Sequence, residues 1–349
     1  MTTISFEPAP HGALVLHTGP TAMKRLAFFA MVLLALNLRA ADPHALTLSQ
    51  TIPLPDVRGR IDHFALDAEG QRLFVAALGN DTVEVIDLAT GKRLHTIGDC
   101  SEPQGLAFAP ADHRLLIANG GSGVVKILDA NSFKTLKSLG NLPDADNARY
   151  DAKSDLFYVG YGSGALAVIR AATGELVAKI QLAGHPESFQ LERDGRRIFV
   201  NVPEAHRVAV VARDRPAAGA TWPLAEFSAN FPMALDETDH RLFIGCRRPA
   251  RLVVLDTTTG KMVDNVAISG DVDDLFYDAD RKLIYASCGA GFIDVLQQRS
   301  ADAYELRERI PTVSGARTSY FWPERRELFV AVRAGLVSGS AAIRVYQCR

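Results

Sequence analysis

The sequence predicts an all-β fold, a seven-bladed β-propeller with four antiparallel strands per blade, and three observations carry that expectation. A segment of about 42 residues recurs seven times, each copy with an apolar run closing a short strand: Leu73-Phe74-Val75, Leu115-Leu116-Ile117, Leu156-Phe157-Tyr158, Ile198-Phe199-Val200, Leu242-Phe243-Ile244, Leu283-Ile284-Tyr285 and Leu328-Phe329-Val330. The middle residues are spaced by 42, 41, 42, 44, 41 and 45 positions, a period that in a chain of short strands marks one propeller blade per repeat. Each repeat also divides into four strand-like segments separated by turn residues. Finally, the seventh repeat lacks a fourth strand, and a segment of matching character precedes the first.

The first repeat shows the elements in order. His63-Phe64-Ala65-Leu66 reads as strand a, Asp67-Ala68-Glu69-Gly70 as a polar turn, and Arg72 to Leu78 as strand b. Gly79-Asn80-Asp81 signals a turn, and Thr82-Val83-Glu84-Val85-Ile86 alternates as strand c. Asp87-Leu88-Ala89-Thr90-Gly91-Lys92 is the next turn, and Arg93 to Ile97 is strand d. Glycines recur in the b–c turns, as in Gly120-Gly121-Ser122-Gly123 and Gly162-Ser163-Gly164, where tight hairpins need positive φ. The last repeat ends at Ile343-Arg344-Val345-Tyr346-Gln347, which reads as a strand c. Ala45 to Ile52 resembles the d strands elsewhere, so it is expected to complete the seventh blade and remove an open edge.

Val83-Glu84-Val85-Ile86-Asp87-Leu88-Ala89-Thr90-Gly91-Lys92 and Leu252-Val253-Val254-Leu255-Asp256-Thr257-Thr258-Thr259-Gly260-Lys261 resemble the V-x-V-I-D-x-x-T-G-K segment of YVTN-type, YncE-like repeat proteins. Ala167 to Glu175 is a weaker third copy. In repeat form the resemblance covers residues 46–349. It implies an exported bacterial seven-bladed propeller, and it is nearly silent about chemistry because the motif residues build a turn. The fourth and seventh repeats depart from the pattern: Arg213 to Trp222 and Leu336 to Ala342 look like longer connections.

Composition narrows the function classes. The chain has 349 residues, 48% apolar, and a formal net charge of −2, which gives no electrostatic reason to expect nucleic acid or an anionic membrane as a partner. Residues 1–40 read as an upstream extension plus a signal peptide, with the natural start at Met23. There Met23-Lys24-Arg25 precedes an apolar run from Leu26 to Leu36, and Ala40-Ala41 offers small residues for cleavage. That run is too short to span a bilayer comfortably. Residues 41–349 are then one propeller domain, periplasmic or secreted, with no membrane span after cleavage and expected as a monomer. No C-x-x-C occurs among Cys100, Cys246, Cys288 and Cys348. Cys246 and Cys288 stand one repeat apart and admit pairing in an oxidising compartment. Matching places in adjacent blades are usually too far apart for a disulfide, so two buried thiols are favoured.

Aligning the seven copies on strand a, by Asp67, Ala109, Asp151, Glu192, Asp236, Asp278 and Trp322, isolates two unusual slots. Five places before the anchor stand Asp62, Gln104, Asp146, Glu187, Phe231, Asp273 and Arg317; four places before stand His63, Gly105, Asn147, Ser188, Pro232, Asp274 and Thr318. Strand a lies nearest a propeller's axis, so these residues ring the entrance to the central channel. Polar residues at a rim also bond local backbone without any function. Four acids in one slot nevertheless exceed what turns require, because their mutual repulsion needs a cation or Arg317 to offset it. The ligand-binding candidates are therefore Asp62, His63, Gln104, Asp146, Asn147, Glu187, Asp273, Asp274 and Arg317. Within this set Asp62, Glu187, Asp273 and Asp274 are the metal candidates, for Ca²⁺ or Mg²⁺, or with His63 for Zn²⁺ or Mn²⁺. His185 belongs to the same loop and can join them.

The b–c loops put Asn80, Asn119, Tyr161, Asn201, Glu204, His206, Arg247, Arg248 and Arg333 on the same face. Taken alone, Arg247 and Arg248 read as ordinary surface charge. No Gly-rich phosphate loop, nucleophile elbow or c-type haem motif is present, so neither nucleotide nor haem is expected. The leading reading is a non-catalytic binder of a small polar ligand, metal ion or protein partner at the channel mouth. A metal-dependent hydrolase, lactonase or lyase, with His63 as acid or base, is the first alternative. A protein-interaction scaffold is the second.

Overall fold

The computed structural model describes residues 44–193, 195–213, 218–335 and 339–349, and residues Ala45–Arg349 form one compact unit. The expected upstream extension, signal segment and Met23 start lie outside the described residues. The chain forms seven four-stranded antiparallel sheets. Blade 1 is Phe64–Asp67, Arg72–Ala77, Thr82–Asp87 and Lys92–Ile97, within two residues of the expected limits at every strand end. Blade 7 is Ser319–Trp322, Glu327–Val332 and Ala341–Cys348, completed by Leu46–Leu54. That closing strand pairs along its length with the last one, from Leu46 opposite Cys348 to Leu54 opposite Ala341. The ring therefore closes as expected. Among the described residues no helix is long and apolar enough to cross a membrane.

The core lies between blades, and strand periodicity explains why. Along strand b of blade 5, Leu242, Ile244 and Cys246 face blade 4, packing with Phe199, Val208 and Trp222. The intervening Phe243 faces blade 6 and packs with Ile284, Ala286 and Cys288. Both faces of each strand b are thus buried, which is why these runs are continuously apolar rather than alternating. Seven such apolar layers fill the seven interfaces between neighbouring blades. Cys246 and Cys288 belong to different layers, and all four cysteines are free and buried.

The T-G-K segments are turns. Asp87 Oδ1 accepts the Ala89 N–H at 2.8 Å, and Asp256 Oδ1 accepts the Thr258 and Thr259 N–H groups at 2.9 and 2.8 Å. Gly91 and Gly260 follow at φ 65° and 71°, where a Cβ would be strained. The supposed long connection after Arg213 is shorter than expected: Ala218–Pro223 is strand d of blade 4, with Trp222 opposite Val208. Likewise Ala341 and Ala342 already belong to strand c of blade 7, and Leu336 lies outside the described residues.

Candidate functional site

Where strand a enters blades 1 to 6, two consecutive residues oppose one residue of strand b, and in blade 7 the Ala331 N–H donates to the Thr318 carbonyl at the matching place. In blade 1 the Asp62 N–H donates to the Ala76 carbonyl at 2.7 Å, and the Ala76 N–H returns to the His63 carbonyl at 3.1 Å. Asp146-Asn147 oppose Gly160 in the same way, and Glu187-Ser188 oppose Asn201. Ladder shifts put Gln104-Gly105, Phe231-Pro232 and Asp273-Asp274 in the equivalent irregularity. A β-bulge adds one residue to a strand and re-aims its side chains. Here it lets neighbours such as Asp62 and His63, or Asp146 and Asn147, line one cavity instead of pointing to opposite faces. The two slots marked by the repeat alignment are therefore the two residues of a recurring bulge.

The cavity has a volume of about 230 Å³ and is walled by residues from all seven blades, which places it on the ring axis. Phe231 is the one large apolar side chain on its wall. Close packing of the bulges forms this mouth. A Cβ on Gly105 would stand 1.9 Å from the Asp146 carbonyl oxygen, so glycine there lets the third blade's bulge approach the second's.

The charges divide into neutralised and uncompensated groups. Asp62 is buried and bonded to Arg60 at 2.6 Å. Asp273 is held by Arg317 Nε at 2.9 Å and closely by Arg247, and Arg317 also reaches Asp271 at 2.7 Å. Burial tends to lower the Arg317 pKa, but Asp273 and Asp271 outweigh it and raise it. Arg247 stacks over the Phe231 ring at 3.9 Å; it is part of the mouth rather than ordinary surface charge, which corrects the sequence reading. Arg248 is exposed.

His63 stands at the centre of the remaining charge, with Nε2 3.8 Å from both Asp62 and Asp146 and Nδ1 3.8 Å from Asp274. Burial favours neutral imidazole, yet the three carboxylates outweigh it and raise the pKa. Asp274 accepts the Ser319 N–H at 2.6 Å, and burial pushes its carboxyl up to about 7. Burial likewise raises Asp146 and Glu187 to about 7, each further raised by neighbouring carboxylates and partly restrained by His63. Three carboxyls that titrate near neutrality beside one imidazole can take up and release protons in the physiological range.

The structure regroups the metal candidates. One ligand atom each from Asp146, His185 and Glu187 lies within 4.8 Å of the others. Of the four acids expected to ligate, Glu187 alone is in this set, since Asp62 and Asp273 already hold arginines. Gln104 lines the wall without belonging to either group. Several loop candidates are structural. Asn119 accepts the Ser101 N–H at 3.1 Å, and Asn201 donates to the Phe231 carbonyl at 3.0 Å, tying blade 4 to the bulge of blade 5.

Sequence reasoning missed Arg149, Arg60, Asp144 and Asp271. Arg149 stands two places before its anchor, where the other copies carry Ala65, Ala107, Gln190, Ala234, Phe276 and Tyr320. It stacks over Phe189 at 5.5 Å, and burial lowers its pKa against the pull of Asp274 and Asp146. A lone charged residue in a slot that is otherwise uncharged was the signal available.

No family model and no curated protein matches the chain. Solved structures do resemble it. Kuenenia stuttgartiensis hydrazine synthase is 15% identical with a TM-score of 0.71, covering 88% of this chain and 98% of that one. The WD40 repeats of RRP9 are 13% identical with a TM-score of 0.74, at the same coverages. At these identities the likeness is one of fold, and it agrees with the seven-bladed β-propeller described above.

Proposed function

We propose that this is an exported propeller that binds a small, strongly polar, non-macromolecular ligand at its channel mouth without catalysing a reaction on it. One observation carries the reading: an on-axis cavity of about 230 Å³ draws charged or polar side chains from all seven blades, with Phe231 as the one aromatic ring on its wall. A cavity of that size holds a ligand of few heavy atoms, and its wall offers hydrogen bonds and charge rather than apolar burial. The acids left without an arginine, Asp146 and Glu187, favour ligands carrying positive charge. Export rests on the basic start and apolar run of residues 23–36. Kinship with the YVTN-type proteins rests on the turn motifs at Asp87 and Asp256.

The test is a panel of small hydrophilic solutes (amino acids, polyamines, sugar acids) screened by thermal shift, with hits titrated by calorimetry. A hit at micromolar affinity in the presence of chelator, weakened at least tenfold by an Asp146→Asn, Glu187→Gln double variant, supports the reading. A panel with no hit, or hits indifferent to the double variant, refutes it.

A second reading, a hydrolase or lactonase, is favoured by Asp146, Glu187 and Asp274 titrating near 7 beside His63, as acid–base catalysis needs. Turnover of ester or lactone substrates that His63→Ala abolishes would establish it; equal rates in both proteins would exclude it.

A further inference from the structure

We propose that Asp146, His185 and Glu187 form a binding site for a divalent transition metal, Zn²⁺ or an ion of similar character, on the wall of the mouth contributed by blades 3 and 4. The inference rests on the reading of the mouth as a ligand site and names the first ligand it holds. Three independent features converge there.

The first is the donor set. One imidazole and two carboxylates place a ligand atom each within 4.8 Å of the others. Tetrahedral coordination at about 2.0–2.2 Å requires ligand atoms about 3.4 Å apart, so the side chains need close by no more than about 1.4 Å. Imidazole nitrogen with carboxylate oxygen favours zinc-like ions over Ca²⁺ or Mg²⁺, which take oxygen donors.

The second is the orientation of the histidine. His185 Nδ1 lies 2.6 Å from the Gly162 carbonyl oxygen, a group that can only accept, so Nδ1 carries the proton. The lone pair is then on Nε2, and a ligating histidine characteristically has its other nitrogen tethered to a backbone carbonyl in this way. Pro186 follows, packed against Gly160 with 3.1 Å between its Cγ and the place a Cβ would take there; this fixes the loop between His185 and Glu187.

The third is unmet hydrogen bonding. Asp146 Oδ1 and Asn147 Oδ1 are buried on this wall without a hydrogen-bond partner. The two residues are only 8% and 2% exposed, and a buried acceptor left unpaired is costly. A cation at this wall satisfies Asp146 directly and leaves Asn147 or solvent as fourth ligand. Asp62 and Asp273, by contrast, are already compensated by Arg60, Arg247 and Arg317.

The test is calorimetric titration of the full chain, stripped with chelator and dialysed, using Zn²⁺ alone. The expected result is about one equivalent bound at micromolar affinity or tighter. Binding should be weakened at least tenfold in both His185→Gln and Glu187→Gln, and unchanged in Glu305→Gln, on the outer strand Ala303–Pro311 of blade 6. Substituting Co²⁺ should give the intense visible absorption of a tetrahedral site, lost in the same two variants. Circular dichroism and melting confirm that each variant is folded. Failure of the wild type to bind, or equal binding in His185→Gln and Glu187→Gln, overturns the proposal. Either failure leaves the solute panel to decide separately whether the mouth binds ligands at all.

Discussion

Replacing Asp274 by Asn should make the protein more stable at neutral and alkaline pH. The Asp274 carboxyl rises from 3.8 to about 7 on folding, chiefly because the site is buried. A carboxyl raised on folding binds its proton more tightly in the native state. Its stabilising contribution is complete below pH about 4 and is lost as the pH rises through about 7. At about 1.4 kcal/mol per pH unit, the interval from 3.8 to about 7 sets a ceiling of about 4 kcal/mol. The groups facing Asp274 are His63 from blade 1, Arg149 from blade 3, its neighbour Asp273, and the Ser319 N–H from blade 7. Asn keeps the shape and can still accept the Ser319 N–H while removing the charge. Urea unfolding from pH 4 to 8, in chelator to exclude metals, is the assay. The two proteins should match near pH 4, and the variant should gain progressively, by up to about 4 kcal/mol at pH 8. Asp146 and Glu187 act with the same sign, so wild-type stability should fall more steeply than Asp274 alone requires, and the difference between the two proteins isolates Asp274. A variant that is less stable than wild type at pH 8, or that follows the wild-type curve throughout, would refute the reasoning.

Further outcomes follow from the packing. Ile52→Ala empties a buried place in the closing strand and should cost about 2–5 kcal/mol in denaturant unfolding, whereas Leu48→Ala, at an exposed place on the same strand, should cost little; deletion of 45–52 should destabilise the whole ring. Gly105→Ala drives a Cβ against the Asp146 carbonyl, so it should lower the melting temperature and weaken any ligand of the mouth even though residue 105 offers no polar side chain. Asn201→Ala removes the side-chain donor to the Phe231 carbonyl and one of the two acceptors of the Asn230 amide and should cost about 1–3 kcal/mol. Burial raises all four thiols, Cys100 to about 11 and Cys246 and Cys348 to about 12, with Cys288 higher still; a thiol reagent should therefore label none in the native protein and four after denaturation, and labelling of fewer than four would reveal a disulfide.

The fold was legible because its determinants repeat. The apolar run of strand b, the Asp-led turns and the matching of Ala45–Ile52 to a d strand are local features read seven times over, and the blades formed at those places. The bulge slots were legible for the same reason: spacing from a strand anchor is conserved by the ladder. Which charges cancel was not legible. Asp62 and Asp273 share a slot with Asp146 and Glu187, yet Arg60, Arg247 and Arg317 reach the first two and leave the others. The reaches of Arg247 and Arg317 depend on side chains from neighbouring blades meeting near the axis, a distance that no within-repeat spacing encodes, whereas Arg60 stands two residues from Asp62 in the same repeat. Arg149 escaped notice because its slot is small or aromatic in five of the other six copies and reads as packing.

The recurring bulge separates what the chain needs in order to fold from what it presents to a ligand. Each repeat brings two adjacent positions to the mouth, and in blades 1, 3 and 4 both side chains line the cavity, while the residues that hold blade against blade lie further along the same strands, beyond the irregularity. Fourteen positions, two in each of seven blades, therefore form a palette that can be rewritten one blade at a time with little disturbance to the interblade layers. Gly105 is an exception, because the third blade's backbone occupies its side-chain space, and so is Phe231, whose ring supports Arg247. Exchanging the remaining pairs between repeats would alter the charge and shape of the mouth while preserving the scaffold, which makes this ring a natural host for combinatorial redesign of a small polar cavity.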